Sequence, residues 1–212
     1  MAGRPPISNH WDQKYLNGGT PWDSGLVERE LIRGLQAEHI APCRAFELGC
    51  GAGTNAVALA QQGFDVVAAD CSPVALDRAR ASADKAGVHV QFLVADVCRV
   101  DDVRNALGPE SARFARTFSL LFDRGCYHCA RNVDLDGFLE TLDWLTAPGA
   151  QFLMLCGNSH AQTETGPPRV SEDQIRSELG RLFDIGLIQA FRFEDRRGVP
   201  GPLGWSCRMA RR

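Results

Sequence analysis

Apolar residues in this chain fall into short runs of two kinds that alternate along most of its length. Residues 43–48, 64–69, 88–95, 117–122 and 151–156 are compact stretches rich in Ala, Val, Leu and Phe, the composition of strands covered on both faces. Between them the pattern relaxes to a helical one. Residues 54–62 are Ala-rich and closed by Gly63, and residues 74–86 are opened by Ser72 and Pro73 and stopped by Gly87, which supplies an N-cap, a first-turn proline and a left-handed C-cap. Residues 101–107 and 135–145 complete the series. Strand and helix in alternation predict an α/β fold, a doubly wound, mostly parallel sheet with helices on both faces.

Both ends depart from that rhythm. Residues 26–37 place Val27, Leu31 and Leu35 four apart, an amphipathic helix, behind an aromatic and glycine-rich loop, YLNGGTPWDSG. At the other end, 171–182 reads as a helix, and 184–193 and 205–210 read as two strands with no helix between them. A hairpin-like pair closing the sheet brings the expected strand number to seven.

Composition narrows the partners more than the fold. The 212 residues suffice for one well-buried core, so a single domain over 1–212 is expected. A formal net charge of -3 gives no basic footprint for nucleic acid. No stretch approaches the roughly 20 apolar residues that span a bilayer, and MAGRPPISNHWDQKY has no apolar run of the secretory kind. Eight cysteines, at 43, 50, 71, 98, 126, 129, 156 and 207, lie mostly in apolar segments, as expected of a reduced, cytoplasmic protein that uses cysteine as a small hydrophobe.

The most informative segment is AFELGCGAGTNAVALA, residues 45–60. A strand that runs through glycines straight into a helix aims backbone amides and the positive helix end at one spot. Gly51, Gly53 and Ala56 also satisfy a dinucleotide fingerprint, with Asp70 near the distance expected for a ribose ligand. Glu47, just before Gly49, decides between the two: an acid there suits an ammonium group and suits a pyrophosphate badly.

ELGCGAGTNA resembles the glycine motif of class I S-adenosylmethionine-dependent methyltransferases. The resemblance implies that Glu47, Gly49, Gly51, Gly53 and Asn55 border the cofactor. It also implies that Asp70, with Cys71 and Ser72 in VVAADCSP, binds the ribose, and that Asp96 and Val97 in LVADV lie by the adenine. HWDQKYLNGGTPWDSG (10–25) and GPPRVSEDQI (166–175) are similar to segments of the thiopurine, thiol and tellurite methyltransferase group. There N-terminal aromatics fold over the cofactor, which implies a lid within residues 1–40, built on Trp11, Tyr15 and Trp22, above a core of 41–212. Arg169 stands where that group tends to carry an aromatic.

FDRGCYHC, residues 122–129, gathers Asp123, Arg124, Cys126, Tyr127, His128 and Cys129 at the end of the fourth strand. Soft ligands at i, i+2 and i+3 without a second pair make a poor metal site, so no metal is expected. Within the resemblance Asp123 would sit by the transferable methyl, and Tyr127 and His128 would face the acceptor. The expected activity is methyl transfer from S-adenosylmethionine to a small molecule, a thiol or other soft nucleophile first. An N- or O-methyltransferase and a catalytically silent cofactor-binding module are the alternatives. The expected state is a monomer or homodimer with neither nucleic acid nor membrane as partner.

Overall fold

In the computed structural model, residues 8–162, 166–194 and 199–212 are described. The strands are β1 (Arg44–Leu48), β2 (Asp65–Asp70), β3 (Gln91–Val94), β4 (Phe118–Arg124), β5 (Thr146–Asn158), β6 (Arg169–Val170), β7 (Phe183–Glu194) and β8 (Pro200–Arg211). The helices are α1 (Ser8–Leu16), α2 (Arg29–Ala37), α3 (Thr54–Gln61), α4 (Pro73–Ala86), α5 (Val100–Leu107), α6 (Tyr127–Leu145) and α7 (Glu172–Leu179). The expectation of no secretory leader falls on residues 1–7, which lie outside the described residues.

The strand order is β3-β2-β1-β4-β5-β8-β7, parallel from β3 to β5 and antiparallel across β5, β8 and β7. The expected doubly wound sheet is present, with one addition to the seven strands: the two-residue β6 pairs with the end of β5 at Gly157 and Asn158. Chain order reverses between β1 and β4. In open α/β sheets ligands bind at the carboxyl ends of the strands flanking such a reversal.

Period-two alternation divides the core into two layers. Phe46, Leu48, Leu121, Phe152 and Met154 point to one face and pack with Val103, Phe138, Leu142 and Ile175 of α5, α6 and α7. Ala45, Leu120, Phe122, Leu153 and Leu155 point to the other and pack with Leu31, Leu35, Ala56, Leu59 and Leu76 of α2, α3 and α4. Helix α2 comes so close to β5 that a Cβ on Gly34 would lie 2.8 Å from a Leu153 methyl. A side chain there would force the Leu153 methyls to shift.

Local signals set the helix ends near the site. Ser72 Oγ accepts from the Ala75 amide at 3.2 Å, Pro73 opens α4, and Gly87 closes it at φ 67°. Ser171 and Gln174 form a reciprocal capping box at the start of α7. Helix α6 starts eight residues earlier than the sequence pattern indicates and kinks at Asp134 (φ −160°, ψ 93°). No helix among the described residues is long and apolar enough to cross a membrane.

Candidate functional site

The glycine loop leaves β1 with Gly49, Gly51 and Gly53 all in the left-handed region, at φ 61°, 55° and 77°. A Cβ at these positions would meet, respectively, the Cys126 side chain, the Tyr15 hydroxyl at 2.5 Å and the Ala79 methyl. The loop is thus pressed between α6, the N-terminal segment and α4, and a side chain at Gly51 would collide with what covers it. Asp70, at the end of β2, accepts from the amides of Gly51 and Ser72, each at 2.8 Å. Burial raises its pKa, and those two amides oppose the rise. Each carboxylate oxygen retains a second lone pair for a hydroxyl donor.

Glu47 sits in the α2–α3 layer, beside Asn55. It is 2% exposed, its carboxylate accepts from the Asn55 side chain and the Ala56 amide, and its Oε2 has no hydrogen-bond partner within the protein. Burial pushes the carboxyl up to about 8. An orphaned buried acid is costly unless a cation completes it. The residue types present therefore fit an ammonium-bearing, ribose-bearing ligand at this crevice.

The N-terminal aromatics Trp11, Tyr15 and Trp22 converge above the loop. Trp22 meets Trp11 edge-on at 5.4 Å and Tyr15 at 6.3 Å between ring centroids, and its Nε1 donates to the Tyr15 hydroxyl at 3.2 Å. Helix α1 is fastened to α4 by Ser72 Oγ donating to Asp12 at 2.5 Å and by Arg78 donating to the Tyr15 carbonyl at 2.5 Å. The Arg78 guanidinium also covers the Tyr15 ring at 5.5 Å. Cys71 is half-buried beside Asp70, and burial raises its thiol pKa. Asp96 accepts from the Cys98 amide at 2.9 Å, holding the turn after β3, and Val97 is buried within it.

Strand parity divides FDRGCYHC between the two faces of the sheet. Asp123 follows Leu121 onto the α6 face, where it is fully buried and accepts from the Cys126 and Tyr127 amides, each at 2.8 Å. Burial raises its carboxyl to about 7 against those bonds. Its oxygens tie the turn into α6. Tyr127 is also fully buried, with its hydroxyl donated to Glu178 Oε2 at 2.8 Å; Glu178 is further bound by Arg131. Through that bond the residue clamps α6 to α7.

His128 does stand at the carboxyl edge, between β4 and β5. Its Nδ1 accepts from the Gly157 amide at 3.1 Å, and burial, with the Arg124 charge, pulls its pKa down to about 4. The imidazole is neutral at ordinary pH and carries its proton on Nε2. Arg124 points to the opposite face from Asp123. It donates to Glu28 Oε2 at 2.7 Å and to the Trp22 carbonyl at 2.9 Å, and its guanidinium lies over the Phe193 ring at 5.2 Å. The signal was available: Leu120, Phe122 and Arg124 share one parity.

Burial pushes the Cys126 thiol well up and the Cys129 thiol to about 11, so both stay protonated. Among the described residues no group of three or more His, Cys, Asp or Glu side chains forms a metal site. Cys126 packs against the α6-side core, and Cys129 is half-buried.

A doubly wound sheet with strand order 3-2-1-4-5, a glycine loop after its first strand and acids at the ends of its first two strands is the architecture of S-adenosylmethionine-dependent methyltransferases. A solved structure reported with the conversion of a disulfide bond into a thioacetal group during echinomycin biosynthesis superposes with a TM-score of 0.78. It is 22% identical and covers 97% of this chain and 92% of its own. The 1,6-didemethyltoxoflavin-N1-methyltransferase of Burkholderia thailandensis, solved with S-adenosylhomocysteine, superposes with a TM-score of 0.70 at 16% identity over 100% of this chain and 92% of its own. The sequence model of the thiopurine S-methyltransferase family matches residues 7–196, and the chain belongs to that family. It is an S-adenosylmethionine-dependent methyltransferase of small molecules.

Among curated relatives, the 2-heptyl-1-hydroxyquinolin-4(1H)-one methyltransferase of Mycobacteroides abscessus is 25% identical over 81% of this chain and 72% of its own. A probable thiol methyltransferase of Arabidopsis thaliana is 32% identical over 34% of this chain and 31% of its own.

Proposed function

We propose that this enzyme methylates a small acceptor whose nucleophilic atom ionises without help from the protein, a thiol in the first instance. One observation carries the proposal: the Gly157 amide occupies Nδ1 of His128. A neutral imidazole with that lone pair engaged offers an N–H donor from Nε2 and no base. The neighbouring acids do not replace it, since both Asp123 oxygens are held by backbone amides and Glu47 belongs to the ammonium. Burial raises the phenols of Tyr15 and Tyr127. A thiol needs no base, being a few per cent thiolate at neutral pH and intrinsically nucleophilic.

The same residues support a division of labour. S-adenosylmethionine supplies a methyl group on a sulfonium, whose positive charge is lost on transfer. Glu47 and the glycine-loop amides hold the methionine end, Asp70 the ribose hydroxyls, and Asp96 with Val97 the adenine. Trp11, Tyr15 and Trp22 cover the crevice and exclude water, which strengthens each charge interaction inside. His128 orients the acceptor by donating from Nε2, and Asp123 holds the turn on which His128 stands. A protein that aligns its reactants without moving a proton draws its acceleration from positioning.

A second reading, an acidic hydroxyl on a heteroaromatic ring, is favoured by the hydroxyquinolone methyltransferase that aligns over 81% of the chain. Both readings make the acceptor its own source of negative charge. The test is the pH profile of kcat/KM for two thiols of different acidity. At saturating S-adenosylmethionine the midpoint is expected to move with the acidity of the thiol; a midpoint that stays at the same pH for both thiols would show that a group of the protein, not the thiol, sets it.

A further inference from the structure

Glu28 joins four parts of the molecule through its two ends. Its amide donates to Asn55 Oδ1 at 2.9 Å, and Asn55 in turn bonds Glu47. Its carboxylate accepts from the Glu30 amide at 3.4 Å, as the N-cap of α2, and from Arg124 Nε at 2.7 Å. Arg124 then holds the carbonyl of Trp22 in the lid loop. The Glu28 and Arg124 side chains are only 6% and 13% exposed.

Capping does not account for a glutamate here. Asp, Asn, Ser and Thr are the residues that cap helix N-termini well, and the capping bond of Glu28 is long while its bond to Arg124 is short. The extra methylene serves reach. The charges around the pair are otherwise matched: Arg29 with Glu194, and Arg33 and Gln189 with Glu30. His128 and Glu47 feel the Arg124 charge from the side of the crevice.

The geometry points to Glu28 as a positioning residue that fixes the Arg124 guanidinium and, through it, the lid loop carrying Trp22 over the crevice. The end of β4 and the lid loop then hang on one buried carboxylate, while the Glu28 amide separately ties the glycine-loop helix to the same residue, so lid closure depends on the reach of the side chain. This rests on the reading of the crevice as the cofactor site.

Two substitutions in the full chain separate reach from capping. Glu28→Asp keeps or improves the cap and draws the carboxylate back from Arg124 by about 1.5 Å. Glu28→Gln keeps the reach and removes the charge. The readouts are thermal midpoint, S-adenosylhomocysteine binding by calorimetry, the change in tryptophan fluorescence on adding S-adenosylhomocysteine with Trp22→Phe as control, and kcat and KM separately. For Glu28→Asp the midpoint is expected at or above that of the unsubstituted protein, with kcat/KM lowered by about 10- to 100-fold and the fluorescence response diminished. Glu28→Gln is expected to lose less of both.

An Asp variant with unchanged kcat/KM and fluorescence response would overturn the inference. So would a loss of activity that only follows a lowered thermal midpoint, since that is a structural role. If the Asp variant does not fold, Glu28→Gln decides by the same two readouts. Failure of the unsubstituted protein to bind S-adenosylhomocysteine would instead remove the cofactor reading on which the inference stands.

Discussion

Replacing Glu47 by glutamine should remove a loss of stability that the ligand-free protein suffers as pH rises, while weakening its hold on the cofactor. The carboxyl is buried, lacks a partner at Oε2, and is pushed from an ordinary 4.5 up to about 8. In the fold it is mostly protonated at pH 7, whereas in the unfolded chain it is ionised. Unfolding therefore releases a proton, and this group's contribution to stability falls as pH rises from about 4.5 to about 8, then levels off. At 1.36 kcal/mol for each pKa unit, the loss between about pH 5 and pH 8 comes to about 3 kcal/mol. Glutamine has the same shape and does not titrate, and whatever its buried amide costs is the same at both pH values. Urea unfolding at a series of pH values should thus show the variant gaining about 3 kcal/mol on the unsubstituted protein across that range. Calorimetry should show weaker S-adenosylhomocysteine binding, because the ammonium loses its counter-charge. Parallel stability curves, or unchanged affinity, would refute the reasoning.

Other perturbations probe the loop, the clamp and the thiols. Gly51→Ala forces a side chain into left-handed backbone, at about 1–2 kcal/mol, and against the Tyr15 hydroxyl. Cofactor affinity should fall at least about tenfold, and Tyr15→Phe in that background should restore part of it in the same titration. Glu178→Ala leaves the buried Tyr127 hydroxyl and Arg131 without their partner, so thermal or urea unfolding should show a loss of about 1–3 kcal/mol. Treatment with a strong chelator should leave both activity and cofactor affinity unchanged. Loss of activity restored by zinc would return Cys126, His128 and Cys129 to a metal site.

What was legible in the sequence was what is contiguous in it. The β1 strand, the glycine loop and α3 are one uninterrupted segment, and Ser72, Pro73 and Gly87 mark α4 by strictly local chemistry. Helix α6 was half legible. Leu135 to Leu145 carry the helical apolar pattern, whereas Tyr127 to Val133 mix His, Cys, Arg and Asn, and helicity there depends on the Asp123 cap and the Glu178 clamp. Strand β8 begins in PGPLG, a run of turn residues, because its register with β7 continues outward to Pro200 and Glu194. The roles within the site were least legible. Arg124 meets partners 96 and 102 residues away, and Tyr127 meets Glu178 across 51; no local pattern encodes such pairings, although strand parity separates Asp123 from Arg124.

The central claim is tested most directly by incubating the protein with S-adenosylmethionine labelled in its methyl group and a panel of acceptors graded by nucleophile: thiols, hydroxy-heteroaromatics, amines and aliphatic alcohols. Label is expected on the thiols, with the hydroxy-heteroaromatics next, and with equimolar release of S-adenosylhomocysteine. Label confined to amines, whose ammonium form must first give up a proton, or to aliphatic alcohols, which need a base to ionise, would contradict it.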